Sequence, residues 1–340
     1  MSLELYTPDY SNRYEISHAT SVQMSAYYND VGKLILDMPI NDYNVEALKN
    51  NSILYDTQKK IAYIIKNVKI DTKQNRITAN GYTTNYFLED RVIASPVVVS
   101  NVESGVYSIV NGNLRGMTKI ATAASKGLKE ETEITLYGEG VLEQIMPVLS
   151  SVELGHRMIW NHRSMTHTFE VYKGEDRTTG IHAVVFSDEQ GTARDLVIND
   201  DVSKFKNVAY VVAEFKEAEM LEVVGTATGD DRHEVWIDSS LFADDGETEA
   251  QFRARMRMEG AFRLGELIAR KSFSVVIDPA ELGVSYNIGD LVSCVSKRFG
   301  VKFNARISGM KYKKDAKSET TEVVLGEPKL TAIGEVKLSG

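Results

Sequence analysis

Residues 168–178, TFEVYKGEDRT, are the stretch that most restricts what this chain can fold into. Phe169, Val171 and Tyr172 stand among polar residues near a period of two, which predicts a strand. Lys173-Gly174 breaks that strand sharply: glycine can take φ > 0, and Asp176 can accept from nearby backbone amides. Arg177 adds a planar, always-charged fork suited to holding a carboxylate or loop carbonyls. A second strand over 181–187 is expected to return from the break, giving a β-hairpin with a charged tip. The hairpin lies between two weakly similar β-rich halves, which makes it the hinge of the expected architecture.

At 340 residues the chain is long enough for two to four domains. A chain this long can bury roughly 75% of its unfolded surface, so its core needs no covalent staples. The single cysteine, Cys294, rules out a disulfide framework and a cysteine-based zinc site. It sits in the apolar strand pattern LVSCV, where a buried, inert thiol is expected. With 39 basic and 48 acidic residues the net charge is −9, against the basic surface that phosphate-driven nucleic-acid binding requires. The one basic cluster, Lys311, Lys313, Lys314 and Lys317, is interrupted at Tyr312 and Asp315 and reads as a solvated hairpin tip. No apolar run approaches the ~20 residues of a membrane-spanning helix. The N-terminal sequence has no basic region followed by an apolar core, so a protein made and folded in a cytoplasm is expected.

The fold class expected is α+β, mainly β: two tube-like β-barrel or sandwich domains, a mixed α/β insert and one long helix. Residues 1–95 form the first β domain in this reading, with strands at 22–28, 33–37, 52–56, 60–70 and 76–82 and a helical turn at 44–50. Ile64, Val68 and Ile70 are expected on one face. Such a meander must roll up or pack on another layer to bury that face. Residues 96–167 read as the insert, with helices at 102–110, 114–126 and 139–152 and a strand at 133–137. Val141, Leu142, Ile145, Met146 and Leu149 mark the buried stripe of the third helix. Pro147 predicts a kink in it or a displaced start.

Residues 168–246 read as the second β domain, with strands at 195–198, 207–215, 220–226 and 233–237. The last two are joined through Gly229-Asp230-Asp231. Residues 247–340 supply the long helix, 247–271, and C-terminal hairpins that complete the second tube-like domain. Phe252, Met256, Leu264, Leu267 and Ile268 give the helix an apolar stripe. Gly260 and Gly265 each cost it about 1 kcal/mol against alanine, which implies close packing or a bend. Strands follow at 272–277, 291–296, 301–312 and 319–325.

Chemistry is sparse. His156, His162 and His167 fall within twelve residues, but without the spacing of a metal motif. Asn199-Asp200-Asp201 and Asp244-Asp245-Gly246 lack the alternating ligands of a calcium loop and read as solvated turns. Gly138-Glu139-Gly140 lacks the lysine of a phosphate loop. No carboxylate pair is singled out for glycoside hydrolysis, and no Gly-x-Ser-x-Gly or Cys/His couple is present. The expectation is a protein that is not an enzyme and carries no catalytic, metal or cofactor site.

Four segments, in order, carry a resemblance to a known family. They are YYNDVGKLILDMP (27–39), ITANGYTTNYFLEDRVI (77–93, with Gly81, Tyr82, Leu88 and Arg91), TFEVYKGEDRT (168–178), and YNIGDLVSCVSKRFGVKFNARISGM (286–310). The third leads to the strand end Phe186-Ser187, and VVLGEP closes the fourth. Together they resemble the siphophage tail-hub family, the baseplate-hub-like tail proteins that include the N-terminal region of tail-associated lysins. The resemblance implies a homotrimer in which two tube-like β domains per chain build a pseudo-sixfold ring. That ring would adapt a sixfold tail tube to a threefold tip and act as a DNA conduit, without specific nucleic-acid binding.

The implied partners are the distal tail protein, the tail tube and tape-measure proteins, and tail-tip or receptor-binding proteins. The implied location is the tail tip of a phage or prophage particle. Many relatives continue into a peptidase, lysin or receptor-binding module, and here the sequence ends at Gly340, so the lytic label is not expected to carry over. The alternative is a carbohydrate-active enzyme or a carbohydrate-binding adhesion module built on β-sandwiches. Its platform would be an exposed Trp160 or Trp236.

Overall fold

A computed structural model of the chain describes residues 2–187, 189, 191–192, 194–267, 270–277, 282–296 and 301–329. Two units emerge, Met1–Val197 with Ser274–Gly340, and Ile198–Phe273. In the first, β1 (Leu3–Tyr6) pairs with β2 (Arg13–Ile16), and β3 (Ser21–Tyr27) with β4 (Lys33–Pro39). Val22 and Met24 lie opposite Leu36 and Leu34, all four buried, as alternation along strands requires. The turn between them admits only glycine, because a Cβ on Gly32 would stand 1.9 Å from the Ser25 carbonyl oxygen. Asn41 caps the short helix α1 (Asp42–Ala47), its side chain accepting from the Asn44 amide. With β5 (Ile53–Asp56), β6 (Ile61–Asp71) and β7 (Arg76–Thr83) the antiparallel order becomes β2-β1-β5-β6-β7-β4-β3.

Strand β6 departs from the single apolar face expected of it. Its register with β7 slips between Ile65 and Asn67, a bulge that exchanges the inward and outward sides of the strand. Ile64 accordingly packs with Tyr6 and Trp160, whereas Val68 packs on the cluster around Leu34 and Leu36. Ile70 is 49% exposed. A period-two reading carried through the bulge cannot see this.

After a 3-10 turn at Thr84–Asp90, β8 (Val97–Asn101) leads into α2 (Val102–Asn113). The helix expected over 114–126 does not form. Arg115 (φ 41°) and Gly116 (φ 89°) take left-handed conformations that end α2. The next residues give β9 (Ile120–Thr122), so strand pairing overrides the local preference of an alanine-rich segment. Then come β10 (Glu131–Leu136), antiparallel to β8, and α3 (Val141–Ser151). α3 starts two residues later than expected and continues through Pro147, which removes one helical hydrogen bond. Ile145, Val148 and Leu149 are buried around that turn, in one core with Val106, Ile109 and Val110 of α2. Strands β11 (Gly155–Asn161) and β12 (Thr166–Tyr172) form an antiparallel pair, and β9 lies parallel to β12 on its other side. β13 (Val185–Ser187) and β14 (Arg194–Asp201) follow.

In the second unit β15 (Val208–Phe215) is central, with β16 (Ala218–Val224) antiparallel and β17 (Glu234–Asp238) parallel to it. Lys216 and Glu217, both at positive φ, make the two-residue turn of the β15–β16 hairpin. Helix α4 (Glu249–Glu266) opens on a capping box between Thr248 and Gln251. It lays Phe252 and Met256 on Ala209, Val211 and Ala213. Gly260 serves close packing, since a Cβ there would meet Val224 and Val211 methyl carbons at 2.7 and 2.8 Å. Gly265 meets nothing within 4 Å. Ile268, expected on the same stripe, lies outside the described residues.

The chain continues through β18 (Arg270–Ile277), β19 (Leu291–Ser296), β20 (Val301–Lys314) and β21 (Glu319–Lys329). The long strand β20 has β21 along one side; on the other it pairs first with β19 and then with β3. Through the β3 pairing Tyr312 enters the core of the N-terminal strands, among Leu34, Leu36 and Tyr63. The basic cluster occupies the β20–β21 hairpin as expected, with Lys311, Lys313 and Lys314 ion-paired to Glu322, Asp315 and Glu319. The fold is α+β and mainly β, with curled sheets. Among the described residues no helix is long and apolar enough to cross a membrane.

Candidate functional site

The hairpin expected at 168–187 is not a hairpin. β12 is flanked by β11 and β9, whereas β13 pairs in parallel with β19. Residues 173–184 instead carry the chain from one sheet to another, and the crossing is where the sequence motifs meet. Gly174 is required there, because a Cβ would stand 1.8 Å from the Gly289 carbonyl oxygen. Beyond it the backbone runs beside β19: the Leu291 amide donates to Glu175 O and the Arg177 amide to Leu291 O, each at 2.8 Å. Asp290 sits at the centre, 3% exposed. One of its oxygens accepts from the Glu175 amide at 2.9 Å; the other accepts from Arg177 Nε at 2.7 Å and the Asn287 amide at 2.9 Å. Asp176 turns away and accepts from the Thr178 amide and hydroxyl.

Two further segments close on the same point. Arg306 on β20 donates through Nη1 to Gly289 O at 2.6 Å, and the Ile307 amide donates to Asp290 O at 2.8 Å. Tyr28, just after β3, receives the Gly174 amide on its hydroxyl oxygen at 3.3 Å. That hydroxyl lies 3.1 Å from both the Glu153 and Tyr172 carbonyl oxygens, to which it donates. The Tyr28 ring leaves room only for glycine at 155 and 289, where an added Cβ would approach it to 2.2 and 2.6 Å. Burial raises the Tyr28 hydroxyl above its ordinary pKa, which keeps it protonated and donating.

The arrangement is a clamp. It ties β3, β11, β12, β19 and β20 through groups that satisfy one another: Asp290 and Arg177 are bound to each other, Asp290 also to backbone amides and Arg177 also to the Glu175 carboxylate. A cleft of about 560 Å³ opens beside it, with Lys59, Lys126, Arg157 and Lys173 on its walls. Those cations are held by Asp56, Glu170 and Glu130.

The residues considered from sequence for metal or catalysis do not converge. His156 and His167 are buried in separate surroundings: His156 contacts Asn85 Nδ2 through Nδ1 at 3.2 Å, and His167 meets the Tyr10 hydroxyl and the rings of Trp160 and Phe87. Burial lowers the first to about 4 and the second to about 3, so both are neutral near pH 7. His162 is exposed and stacks on Tyr55. Among the described residues no group of three His, Cys, Asp or Glu side chains is placed to hold a metal ion. Cys294 is buried and its thiol is pushed up to about 12. Asp244 pairs with Arg255 in an exposed turn, and Asn199-Asp200-Asp201 ends strand β14. Of the two tryptophans, Trp160 is buried and Trp236 exposed.

Sequence reasoning placed Gly174 and Arg177 in one turn, with Arg177 suited to a carboxylate, but did not single out Asp290 as that carboxylate or Tyr28 and Gly155 as further partners. The available signal was a glycine at a strand position, which marks close approach of another chain segment.

No curated protein sequence matches the chain significantly. Its fold is similar to those of solved tail-protein structures. For the 43 kDa tail protein of prophage MuSo2 from Shewanella oneidensis the TM-score is 0.59, at 12% identity over 96% of this chain and 97% of that one. For the tail protein from Neisseria meningitidis MC58 it is 0.58, at 14% identity over 96% of each chain. For prophage tail protein gp18 from Listeria monocytogenes EGD-e it is 0.54, at 11% identity over 97% and 96%. The model of the siphovirus ReqiPepy6 Gp37-like protein family matches residues 2–327, nearly the whole length. The chain therefore belongs to the siphovirus ReqiPepy6 Gp37-like family of phage tail proteins.

Proposed function

We propose that this chain is a structural tail protein that forms the trimeric hub at the distal end of a siphophage tail tube. Each chain contributes two tube-like β domains to a pseudo-sixfold ring, one built on 1–95 and one on 168–246 with 247–340. The insert, 96–167, lies between them in sequence. The ring adapts the sixfold tube to a threefold tip and passes the DNA. Its neighbours are the distal tail, tube and tape-measure proteins on one side and tail-tip or receptor-binding proteins on the other. The chain is made in the host cytoplasm and resides in the virion, without catalytic role or cofactor. The family match over residues 2–327 carries this reading. The net charge of −9 supports it, since acidic walls repel phosphates and let DNA slide.

Light scattering at high protein concentration and moderate salt tests it. A mass of three chains is expected, alone or with the adjacent tail protein added, and image averaging should then show a pore. A stable dimer would overturn the reading, because twofold symmetry cannot cap a sixfold tube in this way. Tight DNA binding at physiological salt would overturn the conduit.

A further inference from the structure

The second unit is a three-stranded sheet with one helix packed on it. α4 covers one face of its sheet, and the other face carries side chains from all three strands, with no covering element among the described residues of that unit. On that open face Trp236, 60% exposed, stands beside Tyr210, its register partner on β15. Tyr210 is flanked in turn by Val223, its partner on β16. One step along the strands Val212 lies between Leu221 and Asp238. Leu221 and Val223 are 47% and 46% exposed. The result is a contiguous apolar patch of a kind that marks interaction sites.

The patch is held in a fixed form. Trp236 Nε1 donates to Asp238 Oδ1 at 2.8 Å, and its ring lies nearly parallel to that of Tyr210, 20° apart with centroids at 6.3 Å. Arg232 also lies against Tyr210, 5.7 Å from its ring centroid, while donating to the Tyr210 hydroxyl and to Glu234. An exposed aromatic locked in this way has little freedom left to lose when a partner covers it.

The rim is acidic. Glu214 and Glu219 face one another at the end of the patch, with Glu217 in the turn beside them and Asp238 opposite, around a shallow depression. Arg232 holds Glu234, but Glu214, Glu217 and Glu219 have no ion-pair partner among the described residues. Leu221, Val212 and Val223 beside the tryptophan are aliphatic, which suits a protein surface better than a sugar. A second copy of this chain is disfavoured, because its charge is −9 and the α4 arginines Arg253, Arg255 and Arg257 are all ion-paired.

We propose that this face docks a cationic, amphipathic segment of another protein. Apolar residues of the segment cover Trp236, Leu221 and Val223, and lysines or arginines pair with Glu214, Glu217 and Glu219. The proposal is independent of the ring and of its symmetry.

The test uses the full chain and a labelled helical peptide of leucine and lysine, followed by anisotropy. Because Trp160 is buried, Trp236 fluorescence reports coverage of the patch. The expected result is salt-sensitive binding with a blue shift, weakened about tenfold by Trp236→Ser or Leu221→Ser. The double variant Glu214→Gln, Glu219→Gln should weaken it several-fold while the far-ultraviolet spectrum stays unchanged. Equal binding of a leucine–glutamate peptide, or binding indifferent to these substitutions, would overturn the proposal. So would a Trp236 shift with a chito-oligosaccharide in place of the peptide, which would make the face a glycan platform. A mass that doubles on its own and reverts with Leu221→Ser would assign the face to a second copy instead.

Discussion

Asp290 in the first unit and Trp236 in the second are both fixed by hydrogen bonds, yet one is hidden and the other displayed. Asp290, 3% exposed, accepts from two backbone amides and Arg177, and the surrounding glycines are small because backbone or the Tyr28 ring fills the space a Cβ would take. Trp236 is fixed by one carboxylate and one ring and leaves most of its surface open. A buried polar group with every partner present specifies how chain segments join, and it tolerates no loss. A held but exposed aromatic keeps most of its surface available to something else. The contrast separates what the chain needs in order to fold from what it presents to others.

That contrast can be broken most directly at the clamp. Gly174→Ala places a Cβ against the Gly289 carbonyl, where neither backbone can yield. A loss on the order of 4 kcal/mol or more is expected in urea unfolding. Asp290→Ala, which leaves two amides without their acceptor and Arg177 with Glu175 alone, should cost roughly 3 kcal/mol. Wild-type melting of Gly174→Ala would mean that this turn does not pack on Gly289.

Acid sharpens the comparison. His156 and His167, both in the first unit, have folded pKa values near 4 and 3, below the ordinary 6.5. Between those limits the unfolded chain binds protons that the folded chain does not, so stability falls as pH drops below about 6.5. The expected loss is roughly 2.5 kcal/mol per histidine by pH 4.5. Urea midpoints from pH 7 to 4.5 check this: His167→Phe should remove about half of the histidine-linked loss, and an unchanged slope would contradict its burial.

The smallest effects belong to the second unit. Gly265→Ala has free space around it and should stabilise α4 by up to about 1 kcal/mol. Gly260→Ala must push Val211 and Val224 aside and should lose roughly 1–3 kcal/mol instead. Thermal melts of the pair measure the difference, and equal shifts would show that α4 does not press on the sheet there.

Much of the molecule was legible from local pattern. Strands β3, β4, β7 and β15, and helices α2, α3 and α4, follow from alternation or stripe because their own residues decide which face is buried. The faces of β6 and the segment 114–126 were not legible. A bulge at 66 and a parallel pairing of Ile120 with His167 come from distant partners that local periodicity does not encode. At the candidate site, Gly174 and Arg177 stood out as turn chemistry, but their meeting with Asp290 did not.

By itself, then, the amino-acid sequence determined the β-rich class, the positions of most elements, the acidic balance and the order of motifs that resembles a tail-protein family. These rest on composition and short-range steric rules, which act within a few residues. Only the tertiary structure decided that residues 168–187 cross between sheets, that Tyr312 closes the N-terminal core, and that Trp160 is buried while Trp236 stands open. Each of these depends on which strand lies next to which. Residues over a hundred positions apart settle that by filling the same space and satisfying the same hydrogen bonds.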